Sequence, residues 1–260
     1  MCLVLLDFQP GSPQPVLLLG NRDEFHDRAT SPALPWSESA SVIGGRDLRA
    51  HGSWLGVRND GRWAAILNRR QCPPLKRPRS RGWLVRDFLL GHTEPDFFAL
   101  ETVAKAEHYG PFLLLLGHAD QAWIVTGNAT PTAPLAAGLH VLSNGPPNQQ
   151  WPKQRHLRAA YIAATKRPEV SAHTLLELLR DETPAAEQEL PDTGIGRVRE
   201  RLLSPIFIRG DIYGTRASTL FRLAGDGGCK LIERSFAANG MQEAEQRWNL
   251  ASPHAAWQPG

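Results

Sequence analysis

The sequence predicts an α+β protein with two antiparallel sheets and helices outside them. Three observations carry this. Short apolar runs come in pairs around tight turns. Stretches with apolar residues every three or four positions separate those pairs. No regular strand–helix–strand alternation runs through the chain. Runs joined by tight turns are antiparallel hairpins, and the lack of repeated βαβ units argues against a doubly wound dinucleotide-binding sheet.

The hairpins come in order. Residues 2–8 (CLVLLDF) and 15–20 (PVLLLG) form the first, and their continuous apolar character predicts burial on both faces. Residues 53–58 and 62–68 form the second around Asn59-Asp60-Gly61, where glycine supplies the positive φ of a tight turn. Residues 112–118 and 121–126 form the third around Ala119-Asp120. Residues 217–224 and 228–235 form the fourth around the glycine-rich turn that starts at Gly225. Helical spacing marks 82–91, 95–108, 152–166, 172–182 and 195–203. Residues 69–81, rich in Arg, Lys and Pro, read as a mobile basic loop. The polar tail from about Gln242 is expected to be loosely held. No linker-like stretch divides the 260 residues, so one domain over 1–260 is expected.

Composition narrows the function classes. Hydrophobic residues make up 42% and charged residues 21%, enough for a sizeable core. A net charge of +3 is too small to make nucleic acid the main partner. The longest apolar runs, such as Phe112 to Gly117, are far too short for a transmembrane segment. The start lacks the basic region and small-residue cleavage site of a secretory signal. The cysteines, Cys2, Cys72 and Cys229, are widely spaced and odd in number. They suggest neither a disulfide framework nor a metal site, and point to a reducing, cytoplasmic setting.

The chemistry concentrates at the start of the chain. A residue as small as cysteine after Met1 favours removal of the initiator methionine, and Cys2 then carries both a thiol and a free α-amine. The amine, with a reference pKa of about 7.7–8.0, is a base near neutrality, and the thiol ionises at about 8.5. Nucleophile and base then share one residue. The same cysteine also fits an inert place in a buried strand. Directly after the second apolar run comes Gly20-Asn21-Arg22-Asp23-Glu24-Phe25. Asp23 is suited to orient the ammonium and thiolate, and Arg22 to lower the thiol pKa or bind a carboxylate. A turn with a surface ion pair is the alternative. Gly44-Gly45-Arg46-Asp47 precedes His51-Gly52-Ser53-Trp54-Leu55-Gly56. Its glycines suggest close backbone approach, and Trp54 a packed wall. Asn68 ends the next strand and points to the same region. Asn144, in Ser143-Asn144-Gly145, is an oxyanion donor or a turn residue. Tyr213-Gly214-Thr215-Arg216 leads into a strand, where Arg216 fits an anionic group or a salt bridge.

These blocks together resemble the NRDE family, also called the transport and Golgi organisation protein 2 family. The resemblance rests on Met1-Cys2-Leu3 with Asn21-Arg22-Asp23-Glu24, then Gly45-Arg46-Asp47, Gly52-Ser53-Trp54-Leu55-Gly56, Ser143-Asn144, Trp151-Pro152-Lys153 and Tyr213-Gly214-Thr215-Arg216, in the family's order. His51 stands where the family often has Gly, Leu67 where Thr is usual, and Ala217 where Ser is common. The family is similar in turn to the N-terminal-nucleophile hydrolases, especially the choloylglycine and penicillin-V acylase group. That likeness implies a four-layer αββα sandwich. It implies catalytic roles for Cys2, Arg22, Asp23, Asn68, Asn144 and Arg216, with Asn21, Glu24, Arg46, Trp54 and Tyr213 around the substrate. The implied reaction is hydrolysis of a linear, non-peptide amide, with no required cofactor and no metal.

The resemblance also carries an alternative. The family has been linked to haem trafficking and to lipid or acyl-CoA metabolism, and a fold does not carry its chemistry with it. A carrier of a hydrophobic anionic ligand, haem or acyl-CoA, would use the same scaffold. Trp36, Trp54, Trp63 and Trp83 are then expected to line a flat pocket. Arg69, Arg70, Lys76, Arg77, Arg79 and Arg81 would meet propionates or phosphates. Among nine histidines, His26 and His51 lie near the motifs, and no spacing singles out a haem ligand.

Overall fold

The computed structural model describes residues 2–70, 77–127, 132–166 and 169–260. The chain opens with β1 (Cys2–Phe8), β2 (Val16–Phe25), β3 (Thr30–Trp36), β4 (Ser39–Asp47), β5 (Leu55–Arg58) and β6 (Trp63–Asn68). Helices α1 (Gly82–Leu90) and α2 (Pro95–Ala104) follow, then β7 (Phe112–Gly117), β8 (Ala122–Thr126), β9 (Ala133–Pro134) and β10 (Gly138–Leu142). After α3 (Pro152–Ala164), α4 (Ala172–Glu177) and α5 (Arg197–Leu202) come β11 (Tyr213–Leu223), β12 (Cys229–Phe236), β13 (Gln242–Leu250) and β14 (Gln258–Pro259). The four hairpins read from the sequence are β1–β2, β5–β6, β7–β8 and β11–β12, all antiparallel.

Two seven-stranded sheets result. One runs β10-β1-β2-β11-β12-β13-β14 and the other β3-β4-β5-β6-β7-β8-β9. The apolar runs are continuous because each strand is covered on both faces. Along β1, Val4, Leu6 and Phe8 face the layer between the sheets. Leu3 and Leu5 face the other way, onto Leu157 and Tyr161 of α3 and Leu175 and Leu176 of α4. Along β7, Leu113 and Leu115 face inward, while Phe112, Leu114 and Leu116 pack under Leu84, Val85, Phe88 and Leu89 of α1 and Ala99 of α2. Three apolar layers between four structural layers make the αββα sandwich that the hairpins implied.

Two of the strands not read from the sequence consist of poor strand formers. β3 carries Pro32 and Pro35, and it lies at a sheet edge, where a missing N–H leaves no ladder bond unmade. β13 reads QEAEQRWNL, polar enough to pass for a tail. It is strand rather than loose chain. The Trp248 indole donates to the Ala33 carbonyl across the sheets at 2.9 Å, and buried Trp257 donates to Ser41 O at 2.9 Å. Among the described residues no helix is long and apolar enough to cross a membrane.

Candidate active site

The β1–β2 register sets Cys2 opposite Arg22. Side chains of partnered residues share a face, so both project into the space between the sheets. Cys2 packs there beside the inter-sheet core and Trp54. β10 pairs along the other edge of β1 and delivers Ser143 and Asn144 to the chain start. The Cys2 backbone N–H donates to Asn144 Oδ1 at 3.1 Å, and the Ser143 hydroxyl donates to the Cys2 carbonyl at 3.1 Å. Asn144 Nδ2 donates to the Asn68 carbonyl at 2.6 Å, at the end of β6 in the other sheet. One amide therefore holds the Cys2 nitrogen and ties the two sheets beside it.

Asp23 follows Arg22 on β2 and points to the opposite, helix-covered face. It is 3% exposed, and its Oδ1 accepts from the Thr215 hydroxyl at 2.7 Å. Burial pushes its carboxyl above the usual range, opposed by Lys153, the Thr215 hydroxyl and Arg22. Burial also pushes the Cys2 thiol up, and the Asp23 charge adds to this, while the Asp23 backbone N–H and Arg22 pull it down.

Arg22 is 6% exposed, and its guanidinium carbon lies over the Trp54 indole, 4.4 Å from the ring centroid. Its Nη2 is 3.9 Å from Glu24, while its buried Nη1 has no hydrogen-bond partner among the described residues. A buried guanidinium N–H with nothing to bind is a donor available to a ligand. Gly45 makes this stack possible, because a Cβ there would overlap the Trp54 ring. Arg22 forms the wall between two cavities. One, about 100 Å³, is lined by Cys2, Asp23, Glu24, Trp54, Asn68 and Arg81, among others. The second, about 190 Å³, runs from Arg22 and Trp54 past Arg216 to Glu233.

Cys2, Arg22, Asp23, Glu24, Trp54, Asn68 and Asn144 thus converge. Other expected site residues are engaged elsewhere. Asn21 is 2% exposed and faces the helices, donating to the carbonyls of Leu179 and Ile206 and accepting from Ser218. Arg46 is turned away onto Trp36 and pairs with Glu38 at 2.7 Å. Tyr213 reaches the site only from behind, through its hydroxyl on the Asp23 carbonyl. Arg216 is the extra residue of a bulge between Thr215 and Ala217, which re-aims its side chain. Its Nη1 donates to the carbonyls of Phe25, His26 and Arg28, closing the β2–β3 turn, and it borders only the second cavity.

The four-tryptophan pocket does not form. Trp63 is in the inter-sheet core, Trp36 donates to Gly44 O and Trp83 to Ala50 O, which leaves Trp54 alone in the cleft. Of the basic loop, Lys76 and Cys72 lie outside the described residues. Arg70 is paired with buried Glu200, and Arg81 turns into the cleft. Among the described residues no cluster of His, Cys, Asp and Glu could hold a metal ion. Lys153 and Thr215 are the residues the sequence reading passed over. Both stood inside blocks already noticed. The signal for Lys153 was a lysine in the first turn of a helix, where the dipole disfavours it.

Residues 1–238 match a family model described as Transport and Golgi organisation 2. The chain belongs to that family. Relatives within it include the transport and Golgi organization protein 2 homologs of Bos taurus, 28% identical over 90% of this chain and 93% of that one, and of Homo sapiens, 27% identical over 95% and 97%. The Drosophila melanogaster protein is 25% identical over 99% of this chain and 95% of its own. Among solved structures, the C2A mutant of the conjugated bile acid hydrolase from Clostridium perfringens superposes with a TM-score of 0.55 at 10% identity, covering 100% of this chain and 96% of that one. A Caenorhabditis elegans N-acylethanolamine-hydrolyzing acid amidase ortholog gives 0.49 at 14% identity, over 84% and 92%. This family member therefore shares the fold of the bile acid hydrolase.

Proposed function

We propose that the chain hydrolyses a linear amide through Cys2. The observation that carries the reading is the cleft-facing Cys2 whose nitrogen is held by Asn144 Oδ1, beside the buried Asp23 carboxyl. With Met1 removed, the Cys2 α-amine takes the thiol proton, and the thiolate sulfur adds to the substrate carbonyl carbon. The Asn144 N–H not used by Asn68 faces the oxyanion with Asn68, a contribution of about 3 kcal/mol to the lowered barrier. The ammonium returns its proton to the leaving amine as the C–N bond breaks, leaving a thioester. Water then adds, the thiol leaves, and a carboxylic acid is released. The unpartnered Arg22 Nη1 is the donor suited to a polar or anionic group of the substrate. The bile acid hydrolase was solved as a mutant at its own Cys2, which adds support.

The test uses the intact chain. Mass spectrometry is expected to find Met1 absent and Cys2 acylated by a thiol-directed acyl probe. A panel of N-acyl amides is expected to release amine, with Cys2→Ser inactive. Retained Met1, or Cys2 left unlabelled, sinks the reading.

A second reading is favoured by a separate groove. An apolar groove of about 730 Å³ runs between Phe25, Leu202, Leu203, Ile208, Ile212 and Tyr213, with Arg199, Arg209 and Asp211 at its sides and Arg209 engaged by Glu182. Its size and apolar walls, with Arg199 for the anionic end, suit a hydrophobic anionic ligand such as haem or acyl-CoA, carried without turnover, in a protein of the cytoplasm. Titration with haem would then give a Soret band saturating near one equivalent, and a non-saturating rise would sink the haem version.

A further inference from the structure

The pairings from β1 through β2, β11 and β12 to β13 line up Cys2, Arg22, Ala217, Ser235 and Ala244 as one cross-strand row. Partnered side chains share a face, so the row faces the space between the sheets. Beyond Arg22 its members are small, and the second cavity, about 190 Å³, opens over them. Thr30, Ser31 and Pro32 of β3, with Trp54, close it from the side of the other sheet. The space is below the ~300–1,000 Å³ of sites for drug-sized ligands, so its occupant is small.

Three buried nitrogens on residues lining this cavity have no hydrogen-bond partner among the described residues: Arg22 Nη1, Trp54 Nε1 and Arg216 Nε. Each is a donor and none can accept. Buried donors are nearly always satisfied, so three around one cavity point to an acceptor inside it. Two of them belong to cations. Burial is the main force against the Arg22 charge, and Arg216 adds to it. The carboxylate partner of Arg22, Glu24 at 3.9 Å, lies on the Cys2 side. Arg216 spends Nη1 on the carbonyls of Phe25, His26 and Arg28 and Nη2 on the Thr30 hydroxyl at 3.4 Å, none of which cancels its charge. Two carboxyls border the cavity. Glu233 is held by the Ala33 N–H and the Thr219 hydroxyl, and burial raises its pKa to about 7. Glu243 is exposed at the margin. The donors call for an anion, and Pro32 and Phe236 give a carbon body something to pack on.

We propose that this second cavity is a binding site for a small organic carboxylate, whose oxygens accept from Arg22 Nη1, Trp54 Nε1 and Arg216 Nε while its carbon body lies on Pro32 and Phe236. Nη1 carries two hydrogens, so this ligand and a substrate in the Cys2 cleft can each accept one. The site stands whether or not Cys2 turns over a substrate.

The experiment titrates the intact ¹⁵N-labelled chain at pH 6, below the Glu233 pKa, and follows the Trp54 indole N–H and the Arg216 Nε–H by NMR. Trp54→Phe and Arg216→Lys identify the two signals by their loss. The probes are sodium benzoate, benzyl alcohol, which keeps the ring without the charge, and sodium sulfate, which has charge without the ring. Benzoate is expected to shift both signals along one saturating curve, with benzyl alcohol and sulfate more than tenfold weaker. Trp54→Phe keeps a ring under Arg22 and removes one donor. Its benzoate affinity, read by calorimetry, should fall about tenfold, the worth of one hydrogen bond to a charged group. Ser235→Leu fills the row and should abolish binding, with a melting curve run alongside; if that variant does not fold, Trp54→Phe decides alone. A titration without saturation, as when water alone fills the cavity, overturns the inference. So does sulfate or benzyl alcohol binding within tenfold of benzoate, or an undiminished benzoate affinity in Trp54→Phe.

Discussion

Glu233, on β12, lies at the far end of the second cavity with 1% exposure. It accepts from the Ala33 N–H at 2.6 Å and the Thr219 hydroxyl at 3.1 Å. Burial raises its pKa to about 7, against the pull of those two donors and of Arg22. The folded pKa is above the unfolded one, so the native state binds the proton more tightly. Stability from this group is complete below the unfolded value, near 4.5, and is lost as pH rises through about 7. Glu233→Gln fixes the neutral form. It is expected to flatten the decline of melting temperature between about pH 5 and 8, with a gain of about 3 kcal/mol at the alkaline end. Equal slopes for the two proteins in melts across that range would refute this. At this scale the sequence was readable where a residue stood beside a structural break, as Cys2, Asp23 and Asn144 do. It was silent on Glu233 and Lys153, because burial is decided by elements distant in sequence.

Among the elements, β4 and the turn before β5 act as one unit. Gly45 has an ordinary extended backbone, and its role is room: the Trp54 ring occupies the space of its missing Cβ. Gly45→Ala must push the indole aside, and with it the Arg22 guanidinium stacked on that ring. The expected loss is about 1–3 kcal/mol in denaturant unfolding, together with a changed Cys2 alkylation rate. Gly20→Ala on β2 is the control, since its Cβ would meet nothing closer than 3.4 Å. If both substitutions behave alike, the close approach at Gly45 has no energetic weight. The same region shows why some elements escaped a reading based on apolar alternation. β4 is interrupted by Gly44 and Gly45, and β3 by two prolines. These residues suppress the strand signal where the cleft needs space and where an edge needs no ladder.

For the whole molecule, three apolar layers were legible because the strands they cover are apolar without interruption. The convergence of Cys2, Asn68 and Asn144 was legible only as motif order, since no spacing along the chain reveals that β10 returns beside β1 or that β6 approaches from the second sheet. Asn144 is the joint between them. Its amide grips the first residue of one sheet and a carbonyl of the other. On the proposed reaction, cohesion and chemistry are drawn from a single side chain, and a descendant without turnover would still be held to that asparagine by its architecture. Persistence of the asparagine across a lineage would record ancestry.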